Sequence, residues 1–362
     1  MAYTTIDDPS AYFQTALYTG NGGTLAVTND GNSDMQPDWV WAKSRTQGNS
    51  HVFFDVVRTF AGDKEIQSNN TGAEGASDSA GYGYISAVGS DGFTAQAGST
   101  AGDYTNVSSQ NYVAWQWKAG TSFTNDASST SIGTIDSAGS VNTDAGFSII
   151  SYTGTGSAAT IAHGLGVIPK FYLIKNRTNA RNWQSYHEPL GNQAYLRLNT
   201  TAAAATGAAI WNNTSPTSSV FSIGTSDFNA VNADGDNYIA YCFAEKQGYS
   251  KFGSYTGNGN ADGTFVYTGF KPAWVMIKNT TTAGKHWVIH DNKRNTFNPT
   301  NKELVAQGSG EEVDDTRFDF LSNGLKIRDS ASYVNTSGDI YIYIAFAENP
   351  FVTSTGVPAT AR

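Results

Sequence analysis

Cysteine is all but missing from this chain: Cys242 is the only one in 362 residues. A single thiol excludes an intrachain disulfide framework and a cysteine-based zinc site. Its place in an apolar run reads as a small buried hydrophobe. Charge is also scarce. Asp, Glu, Lys and Arg supply 15% of the residues, against roughly 25% in an ordinary soluble domain. The formal net charge is −9, with no basic patch or stripe, so no nucleic-acid partner is expected. No run approaches the roughly 18 apolar residues of a membrane span. The N-terminus, from Met1 to Pro9, has neither the basic nor the apolar stretch of a secretory signal, which points to synthesis in a cytoplasm. Gly, Ser, Thr and Asn take the place of charge, and a 13% aromatic content provides bulky core side chains.

Against that plain background one pattern repeats. Tyr18-Thr19-Gly20-Asn21-Gly22 returns as Tyr152-Thr153-Gly154-Thr155-Gly156 and as Tyr255-Thr256-Gly257-Asn258-Gly259. Each is followed by a proline and an apolar run closing on lysine: Pro37 to Lys43, Pro169 to Lys175, Pro272 to Lys278. Each unit then ends on an aromatic run, starting at Tyr112, Tyr238 and Tyr341. Positions 152, 169, 175 and 245 recur at 255, 272, 278 and 348, always 103 residues on. A period of that size is a small domain rather than a solenoid repeat.

Strand signals fill the units. Ile340, Ile342 and Ile344 alternate with Tyr341, Tyr343 and Ala345, as in a strand buried on both faces. The run Phe147 to Tyr152 reads as an edge or half-buried strand. Turn formers such as Asn29-Asp30-Gly31-Asn32 and Ser322-Asn323-Gly324 punctuate these runs. The expected fold is all-β, with three tandem related β-sandwich modules. The boundaries are 1–120 for the first, a Ser/Thr/Gly linker over 121–146, 147–248 for the second, 249–351 for the third, and an extended or disordered tail over 352–362.

The run Phe147 to Lys175, with Ser151-Tyr152-Thr153-Gly154-Thr155-Gly156, His163-Gly164-Leu165-Gly166 and Leu173-Ile174-Lys175-Asn176-Arg177, resembles repeat modules of marine bacteriophage virion proteins of the tail-fibre-like kind. Asn182 to His187 and Tyr238 to Ala244 match as well, and the first unit fits through Pro37 to Lys43 and Tyr112 to Trp117. The resemblance implies a virion structural protein with lectin-like or jelly-roll modules and partners among other virion proteins. By the habit of phage fibres it also implies a homo-oligomer, with a trimer favoured. It brings no catalytic residues. A tail-fibre or appendage role in recognising host-surface glycan leads, capsid decoration on the head surface is the alternative, and a glycan depolymerase is a distant third.

Neutral glycans stack on exposed rings, so the aromatics are the first candidates. Trp39 with Trp41, and Trp115 with Trp117, lie two apart on one strand face and read as core, because the other units hold apolar residues there. Trp183 and Trp287 head an equivalent strand and are expected to be partly exposed. Trp211 has no counterpart in either neighbour, which marks it for a role specific to its unit. His187 and His290 also stand 103 apart. They complete the set of candidate ligand-contacting residues, although neither has a second metal ligand at i+2 or i+4 and a structural role is favoured. Glu311-Glu312-Val313-Asp314-Asp315 reads as a solvated loop, and Asp234 with Asp236 as a turn. No metal, cofactor or catalytic motif is present, so no enzyme is expected.

Overall fold

The computed structural model describes residues 2–225 and 230–360. The fold is all-β. Each sequence unit supplies four antiparallel strands in one spatial order, with the closing strand inserted between the opening and second strands. In unit one these are Phe13–Thr19, Asn111–Trp117, Trp39–Ser44 and Val52–Asp55. In unit two they are Phe147–Thr153, Asn237–Phe243, Phe171–Asn176 and Gln184–His187. In unit three they are Ser250–Thr256, Ile340–Pro350, Phe270–Asn279 and Trp287–Asp291. Further strands, such as Thr24–Val27 and Ala159–Ala162, cover the outer faces and give a sandwich-like layering.

The apolar runs have little alternation because both faces of these strands are buried. Trp39 and Trp41 enter a cluster shared by all three sheets, while Val40 and Ala42 enter a core private to unit one. Phe171 and Leu173 join the shared cluster, with Tyr172 and Ile174 facing a private one. Trp274 and Met276 repeat this against Val275 and Ile277. At the centre, Trp117, Phe243 and Phe346 meet pairwise, with ring centroids 6.4, 5.6 and 5.7 Å apart. These rings are equivalent by register, since they oppose Trp39, Phe171 and Trp274.

The repeated Tyr-Thr-Gly-x-Gly is a structural lock. A Cβ on Gly20, Gly154 or Gly257 would stand 2.1, 2.2 or 2.2 Å from the carbonyl oxygen of Val107, Ala233 or Thr336. The residue after each of these glycines donates its backbone N–H to the side chain of Asn106, Asn232 or Asn335 at 2.8, 2.9 and 2.9 Å. The motif's tyrosine stacks on the first tyrosine of the closing run, at 5.2, 5.0 and 5.0 Å for Tyr18–Tyr112, Tyr152–Tyr238 and Tyr255–Tyr341.

Several expectations need correction. The segment 121–146 is no free linker: Thr121–Asn125 and Ser137–Asn142 pair antiparallel and extend the sheet of unit two. Its Ser and Gly residues suit this edge, because a Cβ on Gly139 would meet Ile149 O at 1.8 Å. Phe147–Thr153 is consequently paired on both sides instead of lying at an edge. Ile135 is buried as a pin, but Ile132 is exposed. In the tail, Val352 bridges to Pro358 and Asp7 binds Ser354; residues 361 and 362 lie outside the described residues.

The lock predicts a contrast between two glycines. Gly257→Ala forces backbone apart and should destabilise the fold by about 1–3 kcal/mol. Gly310→Ala, with nothing within 4 Å of its added Cβ, should stay within about 0.5 kcal/mol of the parent. Urea unfolding of both variants checks this, and equal midpoints would rule the lock out as a stabilising device.

Candidate functional site

The five residues singled out from the sequence are all fully buried. Trp183, Trp211, Trp287, His187 and His290 each have 0% relative exposure, so none offers a ring or imidazole to a surface ligand. Trp211 packs edge-on against Tyr172 and Tyr186, 5.0 and 6.0 Å away, in the private core of unit two. Its indole N–H donates to Ala194 O at 3.0 Å.

Trp183 and Trp287 instead join the units. Trp183 Nε1 donates to Gln67 O of unit one at 2.8 Å, and Trp287 Nε1 donates to Arg197 O of unit two at 3.1 Å. His51, immediately before the strand Val52–Asp55, closes the ring by reaching Val305 O of unit three at 3.1 Å. Its Nδ1 accepts from Trp41 Nε1 at 2.8 Å, so the proton must sit on Nε2. Sheet register also corrects the histidine pairing. His187 opposes Phe171 as Asp291 opposes Trp274 and Asp55 opposes Trp39. His187 therefore aligns with Asp291, 104 residues on, and His290 is no counterpart. His187 donates to Tyr343 O at 3.1 Å. His290 lies 3.5 Å from Glu303, which Arg317 holds at 2.8 Å.

Two of the three junctions carry a buried charge network. Asp55 accepts from Arg58 Nε at 2.6 Å and from Tyr241 of unit two at 2.7 Å. Asp291 accepts from Arg294 Nε at 2.5 Å and from Trp115 of unit one at 3.0 Å. Glu74 grips Arg177 with both carboxylate oxygens, and Glu312 grips Arg45 in the same way. Glu312 is thus a junction residue with a 9% exposed side chain, not part of a solvated loop. The junction of units two and three has Ala204 and Thr280 at the matching backbone contact, at 2.9 Å. Asp234 and Asp236 do sit in a turn, and Asp236 accepts from Asn176 and Asn179. Among the described residues no group of three or more His, Cys, Asp or Glu could hold a metal ion.

A cleft of about 320 Å³ lies where unit one meets unit three. Its floor includes Phe13, Thr15, Ala273 and Ala347, and its walls carry Asp8, Asp30, Asn32, Asn292, Lys293 and Asn349. Asp8 is held by Ser10 and Ser33, Asp30 pairs with Lys293 at 2.7 Å, and Asn292 donates to Glu348 at 2.7 Å. Thr15 is 4% exposed and its hydroxyl has no hydrogen-bond partner among the described residues. A separate surface feature is the pair Phe265 and Tyr267, two apart on one outer strand face and 43% and 50% exposed. In the sequence, Asn29 to Asn32 carries only a turn signal, and Phe265 and Tyr267 belong to no motif. Their alternation with Val266 was the available signal.

Burial holds His51, His163, His187 and His290 below the usual histidine range, with His163 and His187 pushed down to about 4. Burial likewise pushes Lys43, Lys175 and Lys278 down to about 7, although each ammonium donates to backbone carbonyls. Both groups bind fewer protons folded than unfolded, the histidines below about pH 6.5 and the lysines between about 7 and 10.5. Stability should therefore climb from about pH 5.5 to about pH 9. Melting temperatures across that range test it, and a flat or falling profile would contradict the assignment.

Trp211→Ala should destabilise by about 3–5 kcal/mol, as for any large core truncation. Chemical denaturation checks this, and near-parental stability would place the ring outside the core.

Comparison with curated proteins and with solved structures returns no match. A family model described as "Domain of unknown function (DUF7483)" matches residues 8–350, nearly the whole chain, and the chain belongs to that family.

Proposed function

We propose that this chain is a non-enzymatic structural protein of a phage particle, a tail-fibre or appendage component that presents its outer surface to host glycan. The observation that carries the reading is the shared aromatic core. Three sheets, each built by one of the sequence repeats, are fused into one body by rings from all of them. A body without slack between its parts holds surface sites at fixed spacing, which is what repeated weak attachment needs. The polar, low-charge surface fits a neutral polyhydroxylated partner, and further copies in a homo-oligomer, a trimer by the habit of phage fibres, would multiply the contacts.

A second reading, decoration of the head, draws on one specific feature. The opening strand of unit one, Phe13–Thr19, pairs on one side only, carries no charge and leaves Leu17 40% exposed. The matching edge in unit two is covered by Ser137–Asn142. An open, uncharged edge is a template for pairing with a neighbouring chain.

Gold-labelled antibody on intact particles separates these readings. Label at the tail or its appendages is the expected result. Label across the head would transfer the assignment to decoration, and particles without label would overturn both.

A further inference from the structure

We propose that Phe265 and Tyr267, side by side on the outer sheet of unit three, form the platform on which a neutral oligosaccharide stacks. The inference rests on the glycan-recognition reading above and assigns it a place. The two rings share the outer face of the strand Phe265–Tyr267, 43% and 50% exposed, while Val266 between them is buried. Sheet register sets what surrounds them. Phe265 stands beside Lys326 and then Asp319, and Tyr267 beside Gly324 and then Leu321. A Cβ on Gly324 would stand 3.0 Å from Phe265 Cζ, so that ring leans across the glycine and turns its other side outward. Tyr3 donates its hydroxyl proton to Gly269 O at 2.7 Å, which leaves the Tyr267 hydroxyl to donate to Tyr3 at 3.4 Å and steadies the second ring.

Unit one shows that the fold does not require these rings. Its outer strand Thr24–Val27 pairs Val27 with Phe93 as Val266 pairs with Leu325, and each partner follows a glycine, Gly92 or Gly324. Both glycines approach the facing strand in the same way: an added Cβ would stand 2.0 Å from Val27 O or 2.2 Å from Val266 O. Yet the residues flanking Val27 are Ala26 and Thr28, both exposed. The same turn and pairing are built there without an aromatic residue on the outer face, so the rings at 265 and 267 are available for a surface role.

The size and chemistry of the patch decide the ligand class. Half of two aromatic side chains amounts to roughly 200 Å², far short of the about 800 Å² per partner that a stable protein interface buries. It suits one or two sugar rings, whose C–H faces meet the negative faces of the aromatic rings. The charges beside the platform cancel: Lys326 pairs with Asp262 at 2.8 Å, and Arg328 with Asp319. An ionic ligand would have to displace one of these pairs. A neutral one can use their open sides, because the Asp262 and Arg328 side chains remain 78% and 43% exposed. The carboxylate accepts from sugar hydroxyls and the guanidinium donates to them.

The test uses the full chain titrated calorimetrically with cellohexaose, maltohexaose, laminarihexaose and chitohexaose. Saturable binding of at least one is expected. The double variant Phe265→Ala/Tyr267→Thr, which gives unit three the residues of unit one, should weaken it about tenfold or more, a loss of about 1.4 kcal/mol or more. Its urea midpoint should stay near that of the parent, which separates loss of binding from loss of fold. Should the double variant unfold early, Tyr267→Thr alone carries the same test. Tyr82→Ala, which removes a 36% exposed ring from unit one, should leave affinity unchanged. Binding that survives the double variant would overturn the platform while keeping glycan recognition. An equal loss in Tyr82→Ala would mark unspecific adsorption to rings and overturn the platform too. No saturation by any of the four would also overturn it, whereas the particle-labelling experiment would still decide the virion reading on its own.

Discussion

Three rings at the centre hold the rest of this molecule in place. Trp117, Phe243 and Phe346 come from the same position of three closing strands and touch each other within about 6 Å. For that to happen, each sheet must turn one full face inward, so each must find a second core for its other face. The private clusters behind the sheets follow directly. The packing has a cost: Trp39, Trp117 and Trp274 bury indole N–H groups that find no acceptor among the described residues. Rings wedged in three-way contact cannot also be turned toward a carbonyl.

Around that centre the junctions are related but unequal. All three use one backbone contact, from Glu74, Ala204 and Glu312 to Arg177, Thr280 and Arg45. Only two add carboxylate and guanidinium. A buried ion pair adds little net stability compared with good apolar packing, yet removing one member leaves a charge stranded at a cost of about 3–5 kcal/mol. The networks thus act chiefly as selectors of partner. Tyr241 and Trp115 fit Asp55 and Asp291, whereas the equivalent Ile344 offers no donor and faces a unit with His187 in that place. Mismatched sheets would bury an unpaired aspartate, which favours the observed pairing of units.

Much of the fold was legible because the period was. A 103-residue register ties Tyr152 to Tyr255 and Pro169 to Pro272, and two-faced strands show as unbroken apolar runs. What stayed hidden was which neighbour each face meets. A lone chain segment does not distinguish an inward face that meets its own sandwich partner from one that meets another unit, so Trp183 and Trp287 read as surface rings when they are the bolts between units. The linker was misread for a related reason. Ser137–Asn142 is polar and glycine-bearing, as linkers are, but the same small residues let an edge strand approach Ile149 closely. The one-residue slip between His290 and Asp291 was invisible without sheet register.

The candidate cleft was the least legible part, and the reason is geometric. Its residues come from five places in the chain, 8–15, 30–32, 273, 292–296 and 347–349, that converge only after the first and third units have docked. Their sequence signals, a turn at 29–32 and the end of a closing run at 347–348, are structural and do not point to a ligand. The same docking that buries Trp115 against Asp291 positions Asn292 and Lys293 one and two residues further on, facing the edge strand that carries Thr15. The cleft's shape therefore depends on the shared core and its charged junction, and a surface site of this kind can vary its rim residues while the bolts beneath it remain fixed.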